Sequence, residues 1–553
     1  MSTGAIDPAS SPAAALRGRV VTLDARATVL DDGVVYTRDG SIDGVLPAST
    51  GPPAGFETVA ETRTHGTLFP GLIELHNHMP YDILPLWTVP RLFTNRDQWS
   101  GRSTPQYRQL ISGPMGVLGR QAEVVPAIVR FVEMRALLGG TTTCQGIALA
   151  SSSGIVSHFR GLVRNVESTR ERDLPAAATH IADIEATDAE HFLARISGTQ
   201  KLILHLSEGT DRPAHEHFEA LHLPDGRWAV TENLIGIHCA ALTAEDFQVF
   251  AAHGGSMVWS PLSNLLLYGR TADVAAARQA GVTVALGSDW APSGSKNLLG
   301  ELKVARIYAD SASIDLSDLD LVRMATTNPA RMLGWAAHMG SLEPGKRADL
   351  LVLDGHRGDP YRQLLAATEA DVHLVMINGI ARLGTPALMK ALMRALGPAG
   401  ETIRVGGRGR VLNLAQTTAD PSVAAVSVAE ATSRLTAALA ALPDADRAAP
   451  ARPSAAPASG RADGVGSLLA VADVLDNHMS PRPHLPLHGR LTGPNLPGNR
   501  DTDLATAAAP QPFPALELDP LAAVDNPDYY EALGAATNVP ARIRTRLQQL
   551  GPA

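Results

Sequence analysis

The sequence predicts an α/β protein built around an eight-stranded (β/α) barrel of the TIM-like kind. Helical and strand-like segments alternate through the middle of the 553-residue chain, and strands separated by helices are expected to run parallel. Eight strands can be placed, which is the number that closes such a barrel. Their ends fall near His78, Gln145, Val166, Ala182, His205, His238, Ser260 and Asp289. A doubly wound sheet is the alternative architecture.

Two consecutive units illustrate the alternation of helix and strand. In "LTAEDFQVFAAHGGSMVWSP", Thr243 is a predicted N-cap and Gly254 ends the helix before a strand begins. In "RTADVAAARQAGVTVALGSD", Thr271 and Gly281 are predicted to bound the next helix in the same way. An earlier apolar helix is predicted to end at Gly139 and Gly140, just before the strand-like "TTTCQG".

The two flanks of this region have a different character. Residues 17–68 are predicted to form short strands, and the same pattern returns at residues 346–355 and 371–383. After residue 406 an Ala-rich helix gives way to a Pro, Ala, Arg and Ser-rich linker. A helical segment is predicted near 527–550, and the whole C-terminal region is expected to be an extended or partly disordered appendage without chemistry.

Composition excludes several classes of protein. The formal net charge is -9 and no Lys/Arg stripe occurs, which argues against nucleic acid as a partner. Two cysteines cannot build a disulfide framework, and neither a secretory signal nor a run of about 18 apolar residues is found. We therefore expect a soluble, cytoplasmic protein with a small-molecule substrate and no membrane partner; a homo-oligomer is left open.

The segment "FPGLIELHNHMP" ends a predicted buried strand with His76 and His78. Alternate residues of a strand face the same side, so these two imidazoles are expected to project together, as two ligands of one metal must. A second pair, His215 and His217, has the same spacing but lies in a helical pattern, where such residues do not share a face. We interpret that pair as a solvated helix surface.

Further polar side chains follow other predicted strands. His205 ends "KLILH" with Glu208 three residues later, His238 ends "NLIGIH", and Asp289 follows "VTVALGS". The spacings correspond to strands 1, 5, 6 and 8 of a barrel, whose carboxyl ends meet at one mouth. A capping role would explain any one of these residues, but not the whole set.

Several motifs together resemble the amidohydrolase superfamily. "PGLIELHNH", "HLSEGT", "GIHCAAL", "SPLSN" and "VALGSD" occur in order, followed by "ATTNPARMLGW" and "GSLEPGKRADLLVLD". They are similar to the branch that contains cytosine, guanine and adenosine-type deaminases and triazine hydrolases, over residues 17–385. The resemblance implies a barrel plus a small β-sandwich formed by both flanks. It suggests residues 1–68 and 341–412 for the sandwich, 69–340 for the barrel and 413–553 for the appendage.

The resemblance also implies roles for the strand-end residues. The metal ligands would be His76, His78, His205 and Asp289, with Asp289 also accepting a proton from water. Glu208 would be the proton shuttle, and His238 would polarise the water or the developing oxyanion. One divalent metal ion, zinc or iron(II), is expected, because "AAATHIADIEA" offers no bridging lysine, although Asp183 and Glu185 are nearby.

The loop after the first strand is the main indication of the substrate. It contains five aromatic residues within 27 positions, which predicts either a stacking surface for a planar heterocycle or a hydrophobic lid. The predicted substrate contacts are Trp87, Arg91, Phe93, Trp99, Ser263 and Asn264. Lys296 would either meet an anionic substituent or be solvated. We expect a metal-dependent hydrolase of non-peptide carbon–nitrogen bonds that deaminates a heterocycle. Alternatives are an imidazolonepropionase-like cyclic amide hydrolase, a dechlorinating triazine hydrolase, and a catalytically silent scaffold.

Overall fold

A computed structural model describes residues 10–100, 104–146, 161–169, 171–180, 189–393, 400–417, 420–444 and 513–551. The N-terminal flank forms four strands, as its Gly-punctuated, β-rich sequence predicts. They are β1 (Ala14–Val21), β2 (Val29–Arg38), β3 (Ser41–Pro47) and β4 (Glu61–Pro70). β2 lies antiparallel to both β1 and β3, whereas β1 runs parallel to β4.

Eight short strands follow and run parallel, in a sheet of three and a sheet of five. The three are β5 (Leu72–Glu74), β6 (Thr141–Cys144) and β7 (Arg164–Asn165). The five are β8 (Ala178–His180), β9 (Leu202–Leu206), β10 (Leu234–His238), β11 (Ser256–Trp259) and β12 (Thr283–Leu286). The predicted α/β class with parallel sheets is confirmed. The predicted fourth strand end, Ala182, lies outside the described residues.

Hydrogen bonds connect the edges of the two parallel sheets. Between β7 and β8, the Ala177 amide donates to the Val166 carbonyl at 3.0 Å. Beyond β5 and β12, Asn77 and Asp289 form a parallel bridge. There the Asp289 amide donates to the His76 carbonyl and the His78 amide to the Asp289 carbonyl, each at 2.9 Å. The chain that follows β5 is thereby held against the chain that follows β12.

Helices connect these strands and cover the sheets. They are α1 (Pro105–Tyr107), α2 (Gly113–Leu118), α3 (Val125–Leu138), α4 (Ala189–Ile196), α5 (Arg212–Glu219), α6 (Ala244–Ala252), α7 (Pro261–Tyr268), α8 (Val274–Gln279), α9 (Leu298–Ala312), α10 (Asp318–Met324) and α11 (Thr327–Met332). Thr243 caps α6 in a capping box with Asp246, as predicted. The prediction that Thr271 caps the next helix is wrong, since Asp273 caps α8 and the Thr271 hydroxyl bonds Trp259 and Asn264 instead.

The C-terminal flank returns to the first sheet. Its elements are β13 (Leu350–Asp354), α12 (Pro360–Ala366), β14 (Val372–Ile377), β15 (Ile380–Gly384), α13 (Pro386–Leu392), β16 (Gly400–Val405) and β17 (Arg408–Asn413). β13 pairs with β4, which joins the strands of both flanks in one nine-stranded sheet.

The C-terminal region packs on the rest of the molecule. Helices α14 (Pro421–Ala424) and α15 (Val428–Ala440) lie beside α3, and α16 (Pro527–Ala535) and α17 (Ala541–Gln548) cover α7 and α9. We call residues 513–551 the C-terminal segment. The helix predicted near 527–550 is present as this pair of helices, whereas the Pro-rich linker lies outside the described residues. None of the helices in the described ranges is long and apolar enough to span a membrane.

Candidate metal centre and active site

The predicted strand-end residues lie together at the carboxyl edge of the parallel strands. His205 is in β9 and His238 is the last residue of β10. His76 and His78 follow β5, while Glu208 and Asp289 follow β9 and β12. All six side chains are buried. The carboxyl ends of parallel strands meet at one face, which explains why positions so far apart in the sequence converge here.

The polar atoms of the four predicted metal ligands face one another. Nε2 of His78 lies 3.2 Å from Nε2 of His205. Oδ1 of Asp289 lies 3.3 Å from Nε2 of His76 and 3.6 Å from Nε2 of His78. With metal–nitrogen bonds of about 2.0–2.1 Å, the ligand atoms of a tetrahedral zinc site lie about 3.3–3.4 Å apart. The ligand atoms of His76, His78 and His205 lie within 4.8 Å of one another, and Asp289 lies beside the first two, so this set of imidazoles and a carboxylate suits a divalent metal ion.

The protonation of this cluster fits a metal as well. Burial lowers the pKa of His76 and of His205 well below the ordinary value, so both rings are neutral, the state in which histidine binds metals. Among the described residues, Nε2 of His76 has no hydrogen-bond partner. Burial raises the pKa of Asp289 well above its usual range, and a cation beside this carboxyl would favour its ionised form.

Neighbouring hydroxyl groups orient two of these ligands. Nδ1 of His76 lies 2.7 Å from Oγ of Ser260. When Nε2 is left unprotonated, Nδ1 carries the proton and donates it to this hydroxyl. Ser263 donates to Oδ2 of Asp289 at 2.5 Å, which leaves Oδ1 directed at the histidines. Ser263 is therefore engaged with a candidate ligand, although the sequence predicts it to contact the substrate.

The backbone at these strand ends is locally strained. His238 has φ 66° and Asp289 has φ 65°, in the left-handed region that non-glycine residues adopt rarely. Such residues cost on the order of 1–3 kcal/mol each and concentrate at active sites.

Gly287 lies so close to His76 that only glycine fits there, since a Cβ atom at this position would lie 2.4 Å from Cβ of His76.

A chain of hydrogen bonds defines the orientation of His238. Trp259 Nε1 donates to the Thr271 hydroxyl at 2.8 Å, and that hydroxyl donates to Oδ1 of Asn264 at 3.1 Å. The amide group of Asn264 is thereby turned so that Nδ2 donates to Nδ1 of His238 at 3.0 Å. The neutral ring then carries its proton on Nε2, which lies 3.7 Å from Glu208 Oε2. Asn264 holds His238, although it too is predicted to contact the substrate.

Glu208 lies beside the histidines with both oxygens facing donors. Oε1 accepts a hydrogen bond from the Tyr268 hydroxyl at 2.8 Å. Oε2 lies 3.7 Å from Nε of Arg96 and from Nε2 of His238. Glu208 is therefore held within reach of a substrate bound at the histidine cluster, as a proton shuttle must be.

The aromatic residues of the first loop form a buried cluster next to the candidate ligands. Trp87, Phe93 and Trp99 are all less than 5% exposed. Trp99 lies 6.1 Å from Trp290 between ring centroids, and Trp290 lies 6.0 Å from His78. Trp87 stacks on Phe93 at 6.3 Å. The loop thus forms a packed aromatic wall beside the candidate ligands.

Two predicted substrate contacts lie elsewhere. Arg91 is exposed, and its guanidinium rests 4.7 Å from the centroid of the Phe93 ring. Lys296 is neither solvated nor free for a substrate, because it is 3% exposed and bonds Asp519 of the C-terminal segment at 2.6 Å. Both expectations for Lys296 are therefore wrong. The sequence could not reveal this pair because its members are 223 positions apart.

The other His-x-His pair lies on a helix, as expected. His215 and His217 belong to α5, and His215 bonds Oδ2 of Asp246 at 2.7 Å. Both side chains are partly buried rather than fully solvated. Asp183 and Glu185, the nearby acids considered for a second metal, lie outside the described residues.

Ser260 and Tyr268 contact candidate site residues, but the sequence assigned no site role to either of them. A usable signal existed for Tyr268. Once "PLSNLLLY" is recognised as a helix, Asn264 and Tyr268 stand four residues apart and share a face. Three histidines and a carboxylate beside a buried glutamate form an arrangement typical of metal-dependent hydrolases.

Comparisons with known proteins agree with this class. The model of the amidohydrolase family matches residues 167–381. A 5-methylthioadenosine/S-adenosylhomocysteine deaminase from Symbiobacterium thermophilum is 25% identical over 417 residues, 66% of this chain and 91% of the relative. An S-triazine hydrolase from Gordonia rubripertincta is 31% identical over 218 residues, 35% of this chain and 45% of that protein. The predicted resemblance to the amidohydrolase superfamily and the predicted class of enzyme, a hydrolase, are confirmed.

A solved structure shares the fold. E. coli guanine deaminase superposes with a TM-score of 0.50 and 17% sequence identity, covering 67% of this chain and 99% of that chain. The C-terminal segment lies beyond the residues matched by the family model.

Proposed function

We propose that this protein is a metal-dependent hydrolase that removes the amino group from a nitrogen heterocycle in a small molecule. The observation that carries the proposal is the convergence of three imidazoles and a carboxylate beside Glu208 and His238. The deaminase relative, which matches along most of its length, supports deamination. Hydrolysis of a cyclic amide and dechlorination of a triazine are not favoured, and a silent scaffold would not need a complete set of ligands.

One divalent metal ion would be held by His76, His78, His205 and Asp289. When bound, it supplies a water whose pKa is lowered to about 7, and hence a nucleophile at neutral pH. Zinc and iron(II) both suit imidazole and carboxylate ligands.

The side chains around the ion would divide the proton transfers. Asp289 accepts a proton from the attacking water, and Glu208 delivers a proton to the ring nitrogen or to the leaving amine. His238 donates Nε2–H to the oxygen as charge develops on it. A carbon–oxygen bond forms and the exocyclic carbon–nitrogen bond breaks, so the products are ammonia and a ring carbonyl.

We infer that the eight parallel strands close into one barrel. The hydrogen bonds at both sheet edges support closure, as does a shared buried cluster that includes Ile73, Ile203, Ile235, Val258 and Ala285. The nine-stranded sheet would form the small β-sandwich. The corresponding division is 1–68 and 341–412 for the sandwich, 69–340 for the barrel and 413–553 for the C-terminal region.

The aromatic wall would contact the heterocycle. Trp87, Phe93 and Trp99 supply flat apolar surface next to the ligand cluster, which suits a planar ring. The indole N–H of Trp87 is buried without a hydrogen-bond partner among the described residues. This N–H could therefore donate a hydrogen bond to a substrate that packs against the aromatic wall.

The test combines metal analysis with ammonia release. The purified chain is assayed against 5′-methylthioadenosine, adenosine, guanine, cytosine and aminotriazines, before and after chelation. We expect bound metal near one ion per chain, and ammonia release that chelation abolishes and zinc or iron(II) restores. Turnover without ammonia would replace deamination by one of the alternative hydrolyses. A metal-free chain that turns over no substrate would overturn the proposal.

A further inference from the structure

Tyr268 is the last residue of α7, the helix that also carries Ser263 and Asn264. Its side chain is 2% exposed. Asn264 precedes it by one helical turn, so both side chains face the mouth of the site. Asn264 holds His238, whereas the Tyr268 hydroxyl donates to Oε1 of Glu208 at 2.8 Å.

The Tyr268 hydroxyl has a second partner in the first loop. Nε1 of Trp99 donates to it at 2.8 Å, and Trp99 is itself buried. An indole N–H can only donate, so it occupies a lone pair of the hydroxyl and leaves the O–H proton for Glu208. The two hydrogen bonds therefore run in one direction: Trp99 donates to Tyr268, and Tyr268 donates to Glu208.

The segment that carries Trp99 is joined to the segment that carries Glu208. The Arg96 amide donates to the Glu208 carbonyl at 3.2 Å, and the Thr210 amide donates to the Thr94 carbonyl at 2.6 Å. The hydroxyl of Thr94 and the amide of Asn95 both donate to Oδ2 of Asp211, at 2.6 and 2.7 Å. These bonds make residues 94–96 a support for the segment that carries the Glu208 carboxylate. They lie in the middle of the aromatic loop after the first barrel strand (residues 81–107), which we call the substrate loop.

The approach of the two segments depends on a glycine. Gly209 has φ +153°, and a Cβ atom there would lie 2.6 Å from the Thr94 carbonyl oxygen. A side chain at this position would push the loop away from Glu208. The glycine next to Glu208 thus allows the loop to pack closely against this backbone.

We propose that Tyr268 is a positioning residue for proton transfer, which holds Glu208 in its catalytic orientation and, through Trp99, couples that orientation to the substrate loop. The assignment rests on the role proposed above for Glu208. Tyr268 itself does not exchange protons with the substrate, because its hydroxyl is engaged on both sides.

The first test is Tyr268→Phe, which removes the hydroxyl and keeps the ring. We expect kcat on the best substrate to fall by about 10- to 100-fold, since one hydrogen bond to a general acid–base group is lost, while KM changes less than about threefold. Tyr308→Phe is the control, because Tyr308 packs edge-on against Trp259 and its hydroxyl bonds none of the described residues. Its kcat should match that of the unaltered chain.

A double-variant cycle separates positioning from a structural role. In a Glu208→Gln background, Tyr268→Phe should lower the residual kcat by less than about twofold, because both changes act on one group. A further tenfold loss in that background would show that Tyr268 acts independently of Glu208 and would overturn the proposal. Trp99→Phe should lower kcat in the same direction but less, and should not add to Tyr268→Phe.

Crystal structures provide a readout that does not depend on activity. In Tyr268→Phe the Glu208 carboxylate should move away from its place beside His238 or occupy more than one rotamer, with the histidines unmoved. If Glu208 keeps its position and a single rotamer in Tyr268→Phe, the proposal is overturned. This outcome does not depend on whether the proposed substrate class is correct. If the unaltered chain released no ammonia, that result would contradict the proposed deaminase function and not the positioning role of Tyr268.

Discussion

Two of the regions that hold buried charged side chains differ in how those side chains are bonded. At the candidate metal centre, Oδ1 of Asp289 faces the nitrogens of His76 and His78, and no cationic side chain lies within ion-pair distance of it among the described residues. At the C-terminal segment, Oδ2 of Asp519 bonds Arg135 at 2.8 Å and Lys296 at 2.6 Å. Its Oδ1 accepts from Asn526 at 3.0 Å.

The difference distinguishes a binding site from a framework contact. A buried carboxylate neutralised by two cations and bonded on both oxygens has no need of a ligand. The imidazoles of His76, His78 and His205 instead direct nitrogen atoms at one another and at a carboxyl oxygen that makes no ion pair with Lys or Arg among the described residues, an arrangement that suits a bound cation. Burial and charge alone do not identify a site; what matters is whether the polar atoms are already satisfied.

The largest effect is expected from removing a metal ligand. His205→Ala deletes an imidazole at the centre of the cluster, so bound metal should fall to a small fraction of one ion per chain and activity should fall by about 10³-fold or more. Metal content by elemental analysis and ammonia release are the measurements. His215→Ala, in the helical His-x-His pair, is the matched control and should change neither. Full metal retention in His205→Ala would mean that His205 is not a ligand, and an unaltered chain without metal would mean that the cluster is a framework contact too.

A smaller loss of activity is expected from Glu208→Gln. The amide keeps the shape of the side chain but cannot deliver a proton, so kcat should fall by about 10²- to 10³-fold. Metal content should stay unchanged, because Glu208 is not a proposed ligand, and this separates its role from that of His205. Glu219→Gln, on the exposed face of α5, is the control. If Glu208→Gln lost its metal, Glu208 would belong to the ligand set.

The two regions also differ in how far the sequence could predict them. The candidate site residues lie at or just after the ends of buried strands, and parallel strands place their carboxyl ends together, so a local pattern predicts that His76, His78, His205, His238 and Asp289 lie close to one another. The choice of four metal ligands among them rests on the resemblance to the amidohydrolase superfamily. Arg135, Lys296 and Asp519 carry no such pattern, because Asp519 follows Lys296 by 223 positions and meets its partners only in the folded chain. Tyr268 lies between these cases, since its position on α7 is local but its partner Trp99 is not.

The region around Asp519 is expected to contribute to stability rather than to chemistry. Asp519→Asn would leave Arg135 and Lys296 buried beside each other without their shared anion, so the free energy of unfolding should fall by about 3–5 kcal/mol. Urea denaturation measures the change, and metal content of the folded fraction should be unaffected. Glu531→Gln, exposed on α16, should stay within about 0.5 kcal/mol. A loss below 1 kcal/mol would mean that water or an ion reaches this cluster.

The smallest effect concerns Glu301 of α9, a carboxyl that is buried like Asp519 but bonded by neutral donors. It accepts from the Leu262 amide at 3.0 Å and from the Ser295 hydroxyl. Burial raises the pKa of Glu301 from an ordinary 4.5 to about 8. Between these values the folded chain retains a proton that the unfolded chain has released. The stability linked to this proton is therefore complete below pH 4.5 and is lost as pH rises towards 8.

Glu301→Gln removes the titration and keeps the shape of the side chain. The decrease in unfolding free energy between pH 6 and pH 8 should therefore be smaller in the variant than in the unaltered chain, by about 1–2 kcal/mol for one proton. Urea denaturation at a series of pH values measures it, with Glu531→Gln as the control that retains the original slope. Equal slopes in Glu301→Gln and in the unaltered chain would mean that Glu301 is ionised in the folded state. Neutral donors would then stabilise a buried carboxylate as well as the cations around Asp519 do. The candidate metal centre would in that case differ from the region around Asp519 only in its histidines.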